Sequence, residues 1–111
     1  MHQLCKLDEI APESGKEVLV KDDSGPRYIA LFLIDQQVKA YLNTCPHQGR
    51  SLSWAPDRFL FDKELRLVCP HHGACFDLEG GLCTSGPCEG ASLTSVDIEV
   101  IDGIIFLKGS G

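Results

Sequence analysis

Two short segments of this chain hold side chains that can bind a metal. The first is Cys45-Pro46-His47, and the second, starting 24 residues after Cys45, is Cys69-Pro70-His71-His72-Gly73. Each segment offers one thiolate and one imidazole, so together they supply two sulfur and two nitrogen ligands. That set suits a tetrahedral zinc ion, or a [2Fe–2S] cluster in which two imidazoles replace two thiolates on one iron. The sequence therefore predicts a metal centre of one of these two kinds.

The residues between and beside the donors favour the iron–sulfur alternative. Pro46 and Pro70 fix φ and stiffen both segments, while Gly49 and Gly73 let the backbone pass close to a cluster. Neutral imidazole in place of thiolate makes the cluster less negative, so it accepts an electron more easily. The predicted chemistry is one-electron transfer. A zinc protein would be colourless, whereas a cluster would make the protein red-brown.

Length and composition limit the class of protein. The 111 residues fit one domain, contain no run of 18 apolar residues, and begin without the apolar region of a signal peptide. We therefore expect a cytoplasmic protein. Six cysteines in such a chain favour metal ligands and reduced thiols over a disulfide framework. For Cys83 and Cys88 a disulfide is the alternative to two thiols, and the compartment favours thiols.

The net charge of −6 disfavours nucleic acid and anionic membranes as partners. Residues 67–107 contain six acidic residues and no Lys or Arg, so the whole acidic surplus lies there. Such a segment is either a solubilising surface or a docking field for a basic redox partner.

The segments that must position the metal-binding side chains have the sequence patterns of β-strands. Apolar and alternating runs predict strands over residues 17–20, 28–34, 38–42, 65–68, 96–100 and 104–107. Asp102-Gly103 predicts a tight hairpin turn, and one turn of helix is possible at 11–16. Residues 43–91 hold five of the six cysteines and three of the four histidines. The sequence therefore predicts an all-β scaffold with a loop-rich insert.

The two donor segments resemble the signature of Rieske-type ferredoxins, the electron carriers of multicomponent ring-hydroxylating dioxygenases. The family pattern Cys-x-His followed by Cys-x-x-His falls on Cys45, His47, Cys69 and His72, and thus selects His72 over His71. The resemblance covers the whole chain. It implies one Rieske domain over residues 1–111, all-β, with an antiparallel β-sandwich scaffold of three sheets. A small cluster-binding subdomain is expected at about 43–91.

The resemblance also implies a function. One [2Fe–2S] cluster would carry electrons from a flavin-dependent reductase to a terminal oxygenase, and the chain, as a monomer, would have no catalytic residues. A small Rieske-like subunit of a nitrite reductase is the alternative. An oxygenase subunit would need a second iron held by two histidines and a carboxylate. Beyond the cluster ligands only His2 and His71 remain for that site, so an enzyme is not expected.

Differences from related proteins predict the cluster's potential. Rieske proteins of cytochrome bc complexes have an extra cysteine in each loop, and Ser and Tyr hydroxyls that raise the potential. Neither segment here has that cysteine, and the matching hydroxyl positions are Ala74 and Phe76. The resemblance therefore implies a potential at the low end of the range.

The spacer between the two donor segments differs from the family pattern in length, and a later segment resembles the family's third loop. The spacer at 48–68 has 21 residues, more than such ferredoxins usually have. We expect the excess to form a longer hairpin within 54–63, with Trp54, Phe59 and Phe61 as packing residues. Gly86-Pro87 resembles the family's third loop, which covers the cluster, and Glu89 follows where a second proline is common.

Overall fold

We analysed a computed structural model of the chain, which describes residues 2–22, 25–34, 36–44, 52–55, 57–70, 73–86 and 89–108. These residues form ten strands and one short 3₁₀ helix at Leu7–Glu9. Among them, no helix is long and apolar enough to cross a membrane. The strands are β1 His2–Lys6, β2 Ser14–Asp22, β3 Gly25–Ile34, β4 Gln37–Leu42, β5 Leu60–Phe61, β6 Leu67–Val68, β7 Cys75–Phe76, β8 Cys83–Ser85, β9 Ile98–Ile101 and β10 Ile104–Leu107.

The strands form three antiparallel sheets, as the all-β prediction required. Their orders are β1-β10-β9, β2-β3-β4 and β5-β6-β7-β8. The first sheet joins β1 to the two last strands, the second is formed by residues 14–42, and the third lies wholly within residues 43–91. The sheet that carries the second donor segment is therefore separate from the two sheets of the scaffold.

Strand β3 is the structural link between the scaffold and the insert. Successive side chains of a strand point to opposite faces, and here both faces are buried. Ile29 and Leu31 pack in a core with β1, β9 and β10, whereas Phe32 packs in a second core with the third sheet. This two-sided burial explains why the run at 28–34 is apolar without alternation.

Aromatic packing fastens the insert to β3. The ring centroid of Phe32 lies 4.9 Å from that of Phe59 and 6.0 Å from that of Phe61, and both contacts have edge-to-face geometry. Gly15 makes this approach possible, because a Cβ there would lie 2.8 Å from both the Phe32 and the Phe59 ring. The predicted packing roles of Phe59 and Phe61 thus agree with the structure. The prediction for Trp54 is wrong, since its side chain is 57% exposed.

The predicted strands agree with the structure best where the pattern is strictly local. Strand β10 has the predicted bounds, and Asp102 and Gly103 both have positive φ, as a two-residue hairpin turn requires. The turn of helix that the sequence allowed at 11–16 does not form, because β2 begins at Ser14 and pairs with β3 along its whole length. The sequence did not predict β1, β5, β7 or β8.

The long spacer forms two local structures instead of one. A tight turn is closed where the Trp54 amide donates to the Arg58 carbonyl at 2.9 Å, and the β5–β6 hairpin follows. In that hairpin Asp62 accepts hydrogen bonds from the Glu64 and Arg66 amides, each at 2.9 Å, and from Arg66 Nε at 2.7 Å. The spacer thus contains a hairpin, as predicted, but the hairpin extends beyond residue 63 into β6. That it accounts for the extra residues stays a prediction.

We expect Asp62→Asn to weaken this hairpin and to reduce the dependence of stability on acid. Hydrogen bonds from the Arg66 amide and side chain hold the pKa of Asp62 below its usual value. A lowered folded-state pKa means that the stabilisation is present above the unfolded-state pKa and is lost as pH falls through the folded-state value. Denaturant titrations between pH 2 and 6 would test this. An equal loss of stability in acid for both proteins would contradict it.

Candidate metal centre

The second donor segment forms a closed loop between β6 and β7. Strand β6 ends at Val68, and the side chain of the next residue, Cys69, is only 2% exposed. The Cys69 amide donates to the Ala74 carbonyl at 2.7 Å, and the Gly73 amide donates to the Cys69 carbonyl at 3.0 Å. Gly73 has φ +73, a conformation that favours glycine. The sheet therefore holds the Cys69 thiol at the buried base of a tight loop.

The other three predicted ligands lie outside the described residues. Cys45 and His47 belong to the undescribed residues 45–51, and His72 belongs with His71 to the undescribed residues 71–72. What the structure does place is Leu52, where the chain returns from the first segment. Leu52 is fully buried in the same core as Cys69 and Ala74. Leu52, which lies five residues after the first segment, and Cys69, the buried donor of the second, therefore share one core.

A third loop lies directly against the second donor segment. A Cβ at Gly86 would come within 2.7 Å of Ala74 Cα, so the two backbones are in close contact. The loop is closed at its base by the Cys83 amide, which donates to the Ala91 carbonyl at 2.8 Å. This agrees with the third loop expected at Gly86. Pro87 and Cys88 lie outside the described residues, so the state of Cys88 stays a prediction.

Side chains near the second segment offer it few hydroxyl groups. Ala74 and Phe76 are both buried, and neither has a hydroxyl. The Thr84 hydroxyl donates to the Cys75 carbonyl at 3.4 Å, and the Tyr41 hydroxyl donates to the Leu78 carbonyl at 2.8 Å. Both hydroxyls thus donate their hydrogen bonds to backbone carbonyls.

The remaining described thiols have different surroundings. Cys75 is half-buried, and its thiol donates to the Gly73 carbonyl at 3.7 Å. Cys83 is fully buried, with its thiol 3.2 Å from the Ser85 carbonyl. Cys5 lies in the other core, between β1 and β10, where burial and then the charge of Glu9 raise the pKa of its thiol. Cys5 therefore lies in a different core from Cys69.

Sequence reasoning missed one residue of this region, Asn43. Its side chain is only 5% exposed, and its Oδ1 accepts a hydrogen bond from the Leu52 amide at 2.8 Å. Its Nδ2 donates to Ser53 Oγ at 3.3 Å and to Glu17 Oε2 at 3.2 Å. An asparagine at the end of a strand, two residues before a predicted ligand, was the available clue. Its partners lie too far along the sequence for a local pattern to reveal them.

The described residues fit a [2Fe–2S] cluster. Soft thiolate is the ligand that iron–sulfur clusters prefer, and the Cys69 thiol lies in a core that excludes water. At Gly86 a side chain would clash with Ala74, so backbone lies against this loop there, and at Gly73 the positive φ favours glycine.

Comparison with known proteins agrees with this site. Residues 1–101 match the family model of the Rieske [2Fe-2S] domain, and the chain belongs to this family. Membership implies one [2Fe–2S] cluster, so the predictions of cofactor and fold are confirmed.

Similar proteins include both ferredoxins and oxygenases. Ferredoxin CarAc of Metapseudomonas resinovorans is 26% identical over 107 residues, which cover 96% of this chain and 92% of that protein. The carnitine monooxygenase oxygenase subunit of Escherichia coli (strain K12) is 28% identical over 113 residues, but this chain spans only 29% of its length. A solved complex of reduced oxygenase and oxidized ferredoxin in carbazole 1,9a-dioxygenase contains a chain with a TM-score of 0.74 and 26% identity. That match covers 95% of this chain and 89% of the other.

Proposed function

We propose that this chain is a one-electron carrier, not an enzyme, which passes electrons from a flavin-dependent reductase to a terminal oxygenase. The observation that carries the proposal is the similarity to ferredoxin CarAc along nearly the whole of both chains. The oxygenase subunit, in contrast, matches over less than a third of its length. The other two relatives are, by their names, an oxygenase subunit and a complex of an oxygenase with a ferredoxin, which supports this function over a subunit of a nitrite reductase.

We propose that Cys45, His47, Cys69 and His72 hold the cluster. In this arrangement Cys45 and Cys69 bind the inner iron, and His47 and His72 bind the outer iron nearer the partner. The burial of Cys69 and its position in one core with Leu52 support the inner role of the cysteines. When bound, the cluster supplies a one-electron redox couple. The core that contains Cys69 would exclude water from this ligand.

The remaining parts of the proposal concern the whole molecule. We propose one domain over residues 1–111 with the cluster-binding subdomain at about 43–91, acting as a cytoplasmic monomer with protein partners only. The acidic surplus does not lie on a single element. Asp77 and Glu79 lie between β7 and β8, with Glu79 3.8 Å from Lys39, whereas Glu99 lies on β9. This distribution favours a solubilising role for the surplus over a single docking field.

We expect the purified protein to be red-brown and, after reduction with dithionite, to give the EPR spectrum of a Rieske cluster. Its average g value then lies well below that of an all-cysteine cluster. Because Ala74 and Phe76 offer no hydroxyl to the sulfur atoms, a redox titration should give a potential on the order of −150 mV. A colourless protein that contains zinc would contradict the cluster, and a potential above zero would contradict the predicted low value.

Electron transfer is tested by reconstitution. With a flavoprotein reductase, NADH and the oxygenase of a ring-hydroxylating system, product should form only when this chain is added. The control leaves out the oxygenase and should give no product. Product formed without the oxygenase would show that this chain contributes catalysis, and so would contradict a carrier.

A further inference from the structure

The first donor segment lies within residues 43–52, and one buried side chain, that of Asn43, joins the two ends of this stretch. The Asn43 amide donates to the Tyr28 carbonyl at 2.9 Å, so the residue's own backbone is fixed to β3. From there its Oδ1 holds the Leu52 amide at 2.8 Å, nine residues along the chain. Holding the two ends of a segment together lowers the conformational entropy of the residues between them. Those residues include the two proposed ligands of the first segment.

The same side chain ties this segment to strand β2. Asn43 Nδ2 donates to Glu17 Oε2 at 3.2 Å, and the Glu17 amide donates to Asp57 Oδ1 at 2.7 Å. Asp57 Oδ2 also lies 3.8 Å from Lys16 Nζ. Asn43, at the start of the segment, is thus bound to Glu17 of β2. Asp57, in the turn that follows the segment, is bound to both Lys16 and Glu17.

Burial gives these contacts their strength. Among the described residues, Asn43 is the one buried side chain that is neither apolar nor aromatic nor a thiol. A buried amide without partners is costly, whereas one with its donors and acceptors satisfied fixes a single arrangement. A polar side chain with three partners at the base of the donor segment is therefore suited to hold that segment in place.

We infer that Asn43, paired with Glu17, is the positioning residue that fixes the first ligand segment for the cluster. This inference rests on the proposed ligand set. It predicts that Asn43→Ala releases the cluster about tenfold faster than the wild type, because the variant loses the buried side-chain hydrogen bonds of Asn43 that hold the segment. The rate is measured as the decay of visible absorbance in the presence of a metal chelator.

A swap of the two polar side chains separates positioning from general stability. N43D alone places a carboxylate opposite the Glu17 carboxylate and should release the cluster about as fast as N43A. E17Q alone keeps an oxygen that accepts from Asn43 and should resemble the wild type. The double variant N43D/E17Q restores a donor and an acceptor with their positions exchanged, so it should recover most of the wild-type lifetime and its EPR line shape.

Tyr41→Phe is the matched control. It also removes a buried hydrogen bond, from the Tyr41 hydroxyl to the Leu78 carbonyl, but at the turn between β7 and β8. Its cluster lifetime should stay within about twofold of the wild type, even where denaturant unfolding shows a similar loss of stability. Any effect of N43A on the cluster beyond that of this control then belongs to the first segment.

Three results would overturn the inference. The first is an equal effect of N43A and Y41F on cluster lifetime, and the second is failure of the swap to recover the lifetime. If N43A does not fold, the comparison of N43D with N43D/E17Q decides the question alone. The third, a wild-type protein without the Rieske EPR spectrum, contradicts the proposed ligand set itself and is thereby distinguished from the other two.

Discussion

Cys69→Ser is expected to abolish the visible absorbance and the reduced EPR spectrum of the protein. Serine replaces a soft thiolate with a hard hydroxyl, which is a poor ligand for iron in a cluster. Because a bound metal centre adds its binding free energy to folding, the free energy of unfolding should also fall. Visible spectroscopy and iron and sulfide content measure the first effect, and denaturant unfolding measures the second.

Two cysteines provide matched controls for this variant. Cys75→Ser makes the same change at the other side of the same loop, and Cys5→Ser makes it at a buried site in the other core. Both variants should keep a full complement of cluster. Retention of the cluster in C69S, or its loss in C75S, would contradict the proposed ligand set.

The adjacent histidines extend this test to the nitrogen ligands. We expect His72→Ala to lose the Rieske spectrum and His71→Ala to keep it, because the family pattern places the imidazole three residues after Cys69. The reverse result would make His71 the ligand.

Gly86→Ala is expected to destabilise the protein by about 2–6 kcal/mol and to shorten the life of the cluster. Gly86 has φ +100, a conformation that costs a residue with a side chain about 1–3 kcal/mol. The new Cβ would also lie 2.7 Å from Ala74 Cα, so backbone must move, at a further cost of about 1–3 kcal/mol. The third loop would then separate from the second donor segment and admit water.

Gly90→Ala in the same loop is the matched control. Gly90 has φ +93, but a Cβ there would meet nothing within 4 Å. It should therefore show only the conformational cost of about 1–3 kcal/mol, with the cluster lifetime unchanged. Denaturant unfolding and absorbance decay measure both variants. Equal losses in G86A and G90A would mean that the contact with Ala74 contributes nothing.

Local sequence patterns predicted the scaffold well and the insert poorly. The alternation in β9 and the turn residues between β9 and β10 are local sequence patterns, so the sequence predicted that hairpin directly. Strands β5 to β7 have only two residues each, too few for any periodicity to appear. They exist because the third sheet packs against Phe32, which lies far away in the sequence.

The sequence alone predicted the chemistry, since two cysteines and two histidines of this type and spacing form a donor set that few cofactors match. Tertiary structure alone decided how that donor set is supported. The contacts of Asn43 with Glu17, and of Gly86 with Ala74, join segments that no local pattern relates. It also decided that Trp54 faces solvent while Phe59 and Phe61 pack against β3. The physical reason is that ligand identity is a property of single residues, whereas burial and close approach arise only when distant segments compete for the same core.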